Sequence, residues 1–373
     1  MQASTSGATN GFLPIGLVRA RRVRFALAPA RIEPVRPPNT QTARTPEVTK
    51  ECTMKALKAS ICVAAAALAL SLALGAPSYA GEDEAGILSQ QMKELYRVGK
   101  YTEALPLAQK SLALRETEFG PDDDKVAMPL NDLGTIHYNL GQYAVAEQLY
   151  KRSLAIREKT LGPDNAEVAM VLNNLGDLYR AEERYALAEP ILKRSLAIRE
   201  KISGPNDPSI VMPLSNLAAL YSNMGRYDQS RPLFERGLAI LDKANGPNDP
   251  EATVLMSNLA DAYINLHRYV DAERLLKRAI VVTAKAYGPD HPDIAQALNN
   301  LAALYGRQGR NTLAEQFYKR SVVTFEKTLG PNHPDLADVL DNLAELYKDQ
   351  GRYADAEQVS KRSKAIRGKT API

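Results

Sequence analysis

The sequence predicts an all-α fold, an α-solenoid of about seven stacked helix-turn-helix units, and three observations carry that expectation. Gly-Pro stands at Gly120-Pro121, Gly162-Pro163, Gly204-Pro205, Gly246-Pro247, Gly288-Pro289 and Gly330-Pro331, each step being 42 residues. Aligned on that step, apolar residues fall into columns such as Leu133, Leu175, Leu217, Leu259, Leu301 and Leu343. Within a unit they recur at spacings of three and four, as Leu214, Leu217, Leu220 and Tyr221 do, which is the period of a helix. A fixed period of this size marks stacked repeats, because one helix pair cannot cover its own apolar face.

The stretch before residue 81 lies outside the period. Residues 1–53 are rich in Arg and Pro and show no apolar periodicity. They read as a non-native or disordered upstream extension, with Met54 as the natural start. Residues 54–80 carry Lys55 and Lys58, an uncharged apolar run from Ala59 to Gly75, Pro77, and small residues Ser78 and Ala80 before a cut site. That is the three-part pattern of a signal peptide. Seventeen apolar residues are short for a membrane span of about 20. The expectation is export, periplasmic or secreted, with no stable membrane span after cleavage. The only cysteines, Cys52 and Cys62, lie in this leader. The repeats therefore have no disulfide and no thiolate chemistry. The formal charge of +4 also belongs to the leader: residues 1–80 hold 10 of 47 Lys+Arg and 3 of 43 Asp+Glu, leaving the rest at −3. A nucleic-acid partner thereby loses its main support.

The repeats fill 81–373, with units near 82–122, 123–164, 165–206, 207–248, 249–290, 291–332 and 333–370. In one unit the first helix is predicted over 208–224. Asp207 caps it, Pro208 suits its first position, and Gly225 ends it by accepting the left-handed conformation. The second helix is predicted over 227–243, stopped by Gly246-Pro247. Small residues at Ala104, Ala146, Ala188, Ser230, Ala272, Ala314 and Ala356 let the two helices approach. An aromatic column, Tyr101, Tyr143, Tyr185, Tyr227, Tyr269 and Tyr353, interrupted at Asn311, is expected to be mostly buried between helices. In the last unit Lys364 and Ser360 replace apolar residues, and Gln91 interrupts the Leu column in the first. Polar residues at those places suit the caps of a complete stack.

The stretches LNNLAALYGRQGR (298–310) and AEQFYKRSVVTFEKTLGPNHPDLA (314–337) resemble the tetratricopeptide repeat in its 42-residue, kinesin-light-chain-like form. The resemblance covers about residues 85–370. It implies that the first helices line a concave, peptide-binding face.

Two sets of columns invite a functional reading. On the first helices run Asp132, Asn174, Asn216, Asn258, Asn300 and Asn342. Asparagine is a poor mid-helix residue, and its amide both donates and accepts. The resemblance implies a grip on a ligand's backbone; the other reading is a hydrogen bond to the neighbouring helix that fixes the stacking. The residues alone leave both open. Spacings of −4 and +3 place Met128, Met170, Met212, Val254, Gln296 and Asp338, and Thr135, Asp177, Ala219, Asp261, Ala303 and Glu345, on the same stripe. The stripe is apolar at one end and acidic at the other, which predicts a ligand with an apolar portion and some basic character, although Met at such spacing also fills cores. The expected groove residues are Asn174, Asn216, Asn258, Asn300, Asn342, Met170, Met212, Asp177 and Asp261. On the second helices, Lys110, Arg152, Arg194, Arg236, Arg278, Arg320 and Arg362 form a basic ladder, read as structural ion pairing because Glu→Lys pairs such as Glu147–Lys151 interleave it.

No catalytic, metal or phosphate-cradling motif occurs, and His291 and His333 occupy one repeat position. The expected protein is not an enzyme and has no cofactor. It is a scaffold or adaptor for a protein or peptide partner. The alternatives are a homo-oligomer built through its convex face and a surface for envelope polysaccharide.

Overall fold

The computed structural model describes residues 83–370, so the leader and its expected signal peptide lie outside the described residues. Fourteen α-helices follow one another in pairs: α1 (Glu84–Arg97) and α2 (Tyr101–Phe119), α3 (Asp124–Asn139) and α4 (Tyr143–Leu161), α5 (Ala166–Ala181) and α6 (Tyr185–Ser203), α7 (Val211–Asn223) and α8 (Tyr227–Asn245), α9 (Ala252–Asn265) and α10 (Tyr269–Tyr287), α11 (Pro292–Arg307) and α12 (Asn311–Leu329), α13 (Pro334–Asp349) and α14 (Tyr353–Thr370). A 3₁₀ turn, Pro208–Ile210, precedes α7, so the helix predicted from 208 begins in tighter form. The described residues fall into two compact units divided between Ser111 and Leu112. In the first, Ser111 donates to the Ala85 carbonyl at 2.9 Å and Lys110 pairs with Glu84 at 2.7 Å. The second begins at Leu112 and holds α3 to α14.

Each first helix of the second unit is started by a side chain at one repeat position. Asp123, Asn165, Asp207 and Asp249 accept from the backbone N–H two residues on, at 2.8–3.0 Å. His291 and His333 do the same through Nδ1, at 3.3 and 3.2 Å. The two histidines are helix caps, which requires Nδ1 to be unprotonated. Between paired helices the chain turns through a left-handed residue. Glycine fills it at Gly141, Gly225, Gly309 and Gly351, but Glu183 (φ 60°) and His267 (φ 58°) adopt the same conformation with a side chain. That conformation costs an L-residue roughly 1–2 kcal/mol.

The paired helices are held by a serine. Ser153, Ser195, Ser321 and Ser363 each donate to a carbonyl 26 residues earlier, on Ala127, Ala169, Ala295 and Ala337. Two pairs do without it. Gly237 and Ala279 stand at the serine position, opposite Val211 and Thr253 rather than alanine. A larger residue on one helix meets a smaller one on the other, so close packing is kept while the hydrogen bond is lost.

Successive pairs are joined by a recurring box. Tyr179 on α5 donates its hydroxyl to Glu147 on α4 at 2.8 Å, Arg184 bonds the same carboxylate at 2.7 Å, and its guanidinium lies 4.4 Å from the Tyr179 ring centre. Lys151 completes it at 2.7 Å. The box recurs as Tyr305 with Glu273, Lys277 and Arg310, and as Tyr347 with Glu315, Lys319 and Arg352. In the α8–α9 junction the charges are transposed. Arg231 takes the glutamate's place, Glu235 takes the lysine's, and Tyr263 reaches Glu235 at 2.7 Å. Arg184 and Arg352, with the lysines and tyrosines behind them, hold the Glu147 and Glu315 carboxyls down at about 2.

The aromatic column that begins the second helices is partly buried, and only its last member departs plainly from expectation. Tyr143, Tyr185, Tyr227 and Tyr269 are half-buried and Tyr353 is 71% exposed. They begin the second helices, where Tyr143, Tyr185, Tyr227 and Tyr269 pack against the buried core and the Tyr143 ring lies 5.6 Å from that of Tyr138 on the paired helix. At the far end Lys364 is exposed and Ser360 half-buried, as their polarity suggests.

The basic ladder is a structural clamp, but not with the partners the sequence suggested. Arg152, Arg194 and Arg236 pair with the acid 36 residues earlier, Glu116, Glu158 and Glu200, at 2.6, 2.7 and 2.5 Å. Arg278 pairs with Asp242, and Arg362 with Glu326. Arg152 and Arg194 also donate to the carbonyls of Pro121 and Pro163, at 2.6 and 3.0 Å, and Arg236 and Arg278 to those of Pro205 and Pro247. The Gly-Pro loop thus supplies an acceptor to the next repeat as well as ending a helix.

Glu183→Gly combined with His267→Gly is expected to raise the melting temperature, each relieving on the order of 1 kcal/mol of backbone strain; calorimetry checks it. The box carries a pH dependence. Glu147 and Glu315 have folded-state values below the ordinary 4.5, so their stabilisation is present above about pH 4.5 and is lost as pH falls toward about 2. Glu147→Gln with Glu315→Gln should melt below the parent at pH 7, and urea titrations should show the gap closing between pH 4 and pH 2.

Candidate peptide-binding face

The inner-column asparagines lie one residue past a second polar column, Asn131, Asn173, Ser215, Ser257, Asn299 and Asp341. The two columns meet across repeats. Asn174 Nδ2 donates to Asn131 Oδ1 at 2.9 Å, Asn216 to Asn173 at 3.1 Å, and Asn342 to Asn299 at 3.1 Å, each spanning 43 residues. Three of the five asparagines therefore staple one first helix to the one before. Asn216 is buried outright. This second column was not anticipated from the sequence, although Asn131, Asn173 and Asn299 were in register to be seen.

Where serine interrupts that column the staple fails, because a serine hydroxyl is shorter than an amide, and one of the two serines is also engaged in its own helix. Ser257 donates to the Thr253 carbonyl of its own helix at 3.0 Å. Asn300, facing it, instead accepts from Gln296 of its own helix at 3.1 Å. Asn258, facing Ser215, makes no hydrogen bond to the preceding repeat among the described residues and is half-buried. The column is thus not uniform: Asn174, Asn216 and Asn342 are tied to neighbouring helices, while Asn258 and Asn300 are not.

The stripe on either side differs from expectation in charge. Met128, Met170 and Met212 are half-buried and Val254 is 44% exposed, whereas the core methionines are Met92 and Met256. The stripe methionines do not serve as core filling. Asp177, expected to face a ligand, is closed off. It is 7% exposed, accepts from Tyr138 Oη at 2.8 Å, and accepts from Arg180 Nε and Nη2 at 2.9 and 2.7 Å. A carboxylate this buried needs a paired cation, and Arg180, itself 4% exposed, supplies it. Burial and the Asp177 charge push the Tyr138 phenol well above its ordinary range. At the acidic end Arg367 bonds both Asp338 and Asp341, at 2.7 and 2.6 Å, and Lys348 pairs with Glu345 at 3.0 Å. The acidic character expected there is largely neutralised within the protein.

Asp261 is the exception. It lies one turn from Asn258 on α9, forms no ion pair among the described residues, and its carboxylate accepts from Asn265 Nδ2 at 3.3 Å. Burial pushes it up to about 6, against the pull of Arg307 and of the Asn265 hydrogen bond. The face thus leaves two asparagines untied to a neighbouring helix, Asn258 on α9 and Asn300 on α11, and on α9 it also carries Asp261 without an ion pair, with Val254 and Met212 on the same stripe. Among the described residues no cluster of three or more metal-binding side chains occurs, and no helix is long and apolar enough to cross a membrane.

Comparison with known proteins agrees with this architecture. The tetratricopeptide repeat matches residues 87–159, 125–201, 167–243, 209–280, 250–322 and 293–369. No curated protein matches the sequence. Among solved structures, the Rap conjugation gene regulator of plasmid pLS20, in complex with the Phr* peptide, is 16% identical, covers 80% of this chain and 79% of its own, and has a TM-score of 0.57. A Podosopora anserina putative kinesin light chain with nearly identical repeats is 25% identical, covering 54% of this chain and 95% of its own, with a TM-score of 0.46. BtubC from P. vanneervenii is 22% identical, covering 63% of this chain and 92% of its own, with a TM-score of 0.49. The matched repeats overlap without a gap from 87 to 369, and the chain belongs to the tetratricopeptide repeat family.

Proposed function

We propose that the repeats are an exported, non-catalytic scaffold that holds an extended segment of a protein partner along the first-helix face, gripped at α9. The observation that carries this is the gap in the asparagine staple. Asn258 is spared the structural bond that occupies Asn174, Asn216 and Asn342, and beside it Asp261 is an acid without an ion pair. An extended peptide exposes alternating N–H and C=O groups, and one free amide can satisfy both. Val254 and Met212 offer adaptable apolar contact on the same stripe. A repeat fold of this kind accepts a peptide in the Rap–Phr* complex, which supports the reading by likeness of fold. Export rests on the signal-like pattern of residues 54–80.

A photoreactive amino acid at position 254, with one at the 83%-exposed Val270 as control, tests the face. Capture of envelope proteins should be specific to position 254 and fall about 10-fold with Asn258→Ala, a loss near 1.4 kcal/mol. Equal capture from both positions would sink the groove reading. Asn216→Ala should act differently, lowering stability by about 1 kcal/mol through loss of a buried hydrogen bond. Asp261 gives a pH signature. Its folded value, about 6, lies above the ordinary 3.8, so the native state gains stability as pH falls through 6 and carries the full cost of the buried charge above it. Asp261→Asn should therefore stabilise at pH 8 and lose that advantage at pH 5, as paired melting curves would reveal. Mass spectrometry of the natural protein tests the signal: peptides from an intact 54–80 stretch in the mature product would count against its cleavage, and recovery of the repeats in the cytoplasmic fraction alone would count against export.

A further inference from the structure

One rung of the arginine ladder is empty. At the −36 position that supplies an acid to Arg152, Arg194, Arg236, Arg278 and Arg362, Arg320 faces Ala284. Among the described residues Arg320 has no ion pair, and it is exposed. The change does not stand alone. Three residues before Ala284, Val281 is 64% exposed, and three residues after Arg320, Val323 is 61% exposed. The other repeats carry alanine at that place, at Ala155, Ala197, Ala239 and Ala365. One turn beyond Ala284 on α10, Tyr287 is 54% exposed. Spacings of three put these residues on one helix face. Loss of an acid and gain of two exposed valines thus coincide at the α10–α12 junction and nowhere else along the ladder.

We propose that this patch on the second-helix face docks an acidic, apolar segment of a partner protein, whose carboxylate takes the place of the missing glutamate against Arg320. Charge complementarity selects the occupant. The guanidinium is held on the same helical position as five others that each bind a carboxylate, so its geometry suits one, and the flanking valines and tyrosine add apolar area that an isolated ion pair would lack. The proposal is independent of the groove on the first-helix face.

The probe is a fluorescein-labelled 16-residue amphipathic helical peptide with leucine and glutamate on one face, with a version in which lysine replaces glutamate. Anisotropy should show saturable, salt-sensitive binding of the acidic peptide to the parent protein and none of the lysine version. Ala284→Glu restores the acid that the other rungs possess. It should fold at least as well as the parent and weaken binding 10-fold or more, as should Arg320→Ala. Unchanged affinity in Ala284→Glu, or no saturable binding to the parent, would overturn the proposal. Light scattering closes the remaining route: a concentration-dependent dimer abolished by Ala284→Glu would mean that a second copy of the chain covers the patch, and the acidic-partner assignment would be wrong.

Discussion

A tyrosine hydroxyl on one repeat reaches back to a carboxylate on the previous one, and an arginine from the intervening turn closes over both. Everything else in the stack is arranged around keeping that contact in register. The tyrosine is mostly buried against the neighbouring pair, so its hydroxyl must find an acceptor. The glutamate is shielded enough to need its cations. The arginine spends its flat face on the ring and its edge on the carboxylate. The transposed pair Arg231 and Glu235 shows how strong the demand is: the order of charge along α8 is reversed, yet Tyr263 still ends on a glutamate. The bond matters more than which of two adjacent turns supplies it.

The first-helix face draws on the same vocabulary for two purposes. An asparagine that meets another asparagine across the junction becomes mortar, and one that meets a serine is left over. The distinction lies in the residue's neighbour in the previous repeat, not in the residue itself. The charged residues follow the same logic. Arg180 closes Asp177 and Arg367 closes Asp338 and Asp341, so acids that look available in a linear reading are internally satisfied. What remains open is Asn258 and Asp261 on α9 and the untied Asn300 on α11.

The helices were readable because their signals are local: the Gly-Pro stops, the Asp207 cap with the proline after it, and apolar spacing. The cross-repeat contacts were only half readable. Lys151 pairs with Glu147 four residues away, as spacing alone suggests, but Arg194 takes Glu158, 36 residues away, because helices that stack side by side bring distant residues level. The asparagine column stands out in the sequence and its partner column does not. Helical spacing reveals neighbours within one helix, and this bond lies between helices. Asp177 is illegible for a similar cause, since Tyr138, which helps to bury it, comes from the preceding repeat.

The joints of the stack recur at fixed sequence offsets: 26 residues for the serine bond, 31 for the proline carbonyl, 32 for most tyrosines, 36 for the arginine clamp and 43 for the asparagine staple. A single residue inserted within a helix would rotate the partners beyond it by about 100° and put several of these joints out of step together, whereas a loop can absorb it. Length in such a chain is quantised. It grows or shrinks most simply by whole modules of 42, each new seam drawing on the same set of joints, while fractional changes fall in the loops.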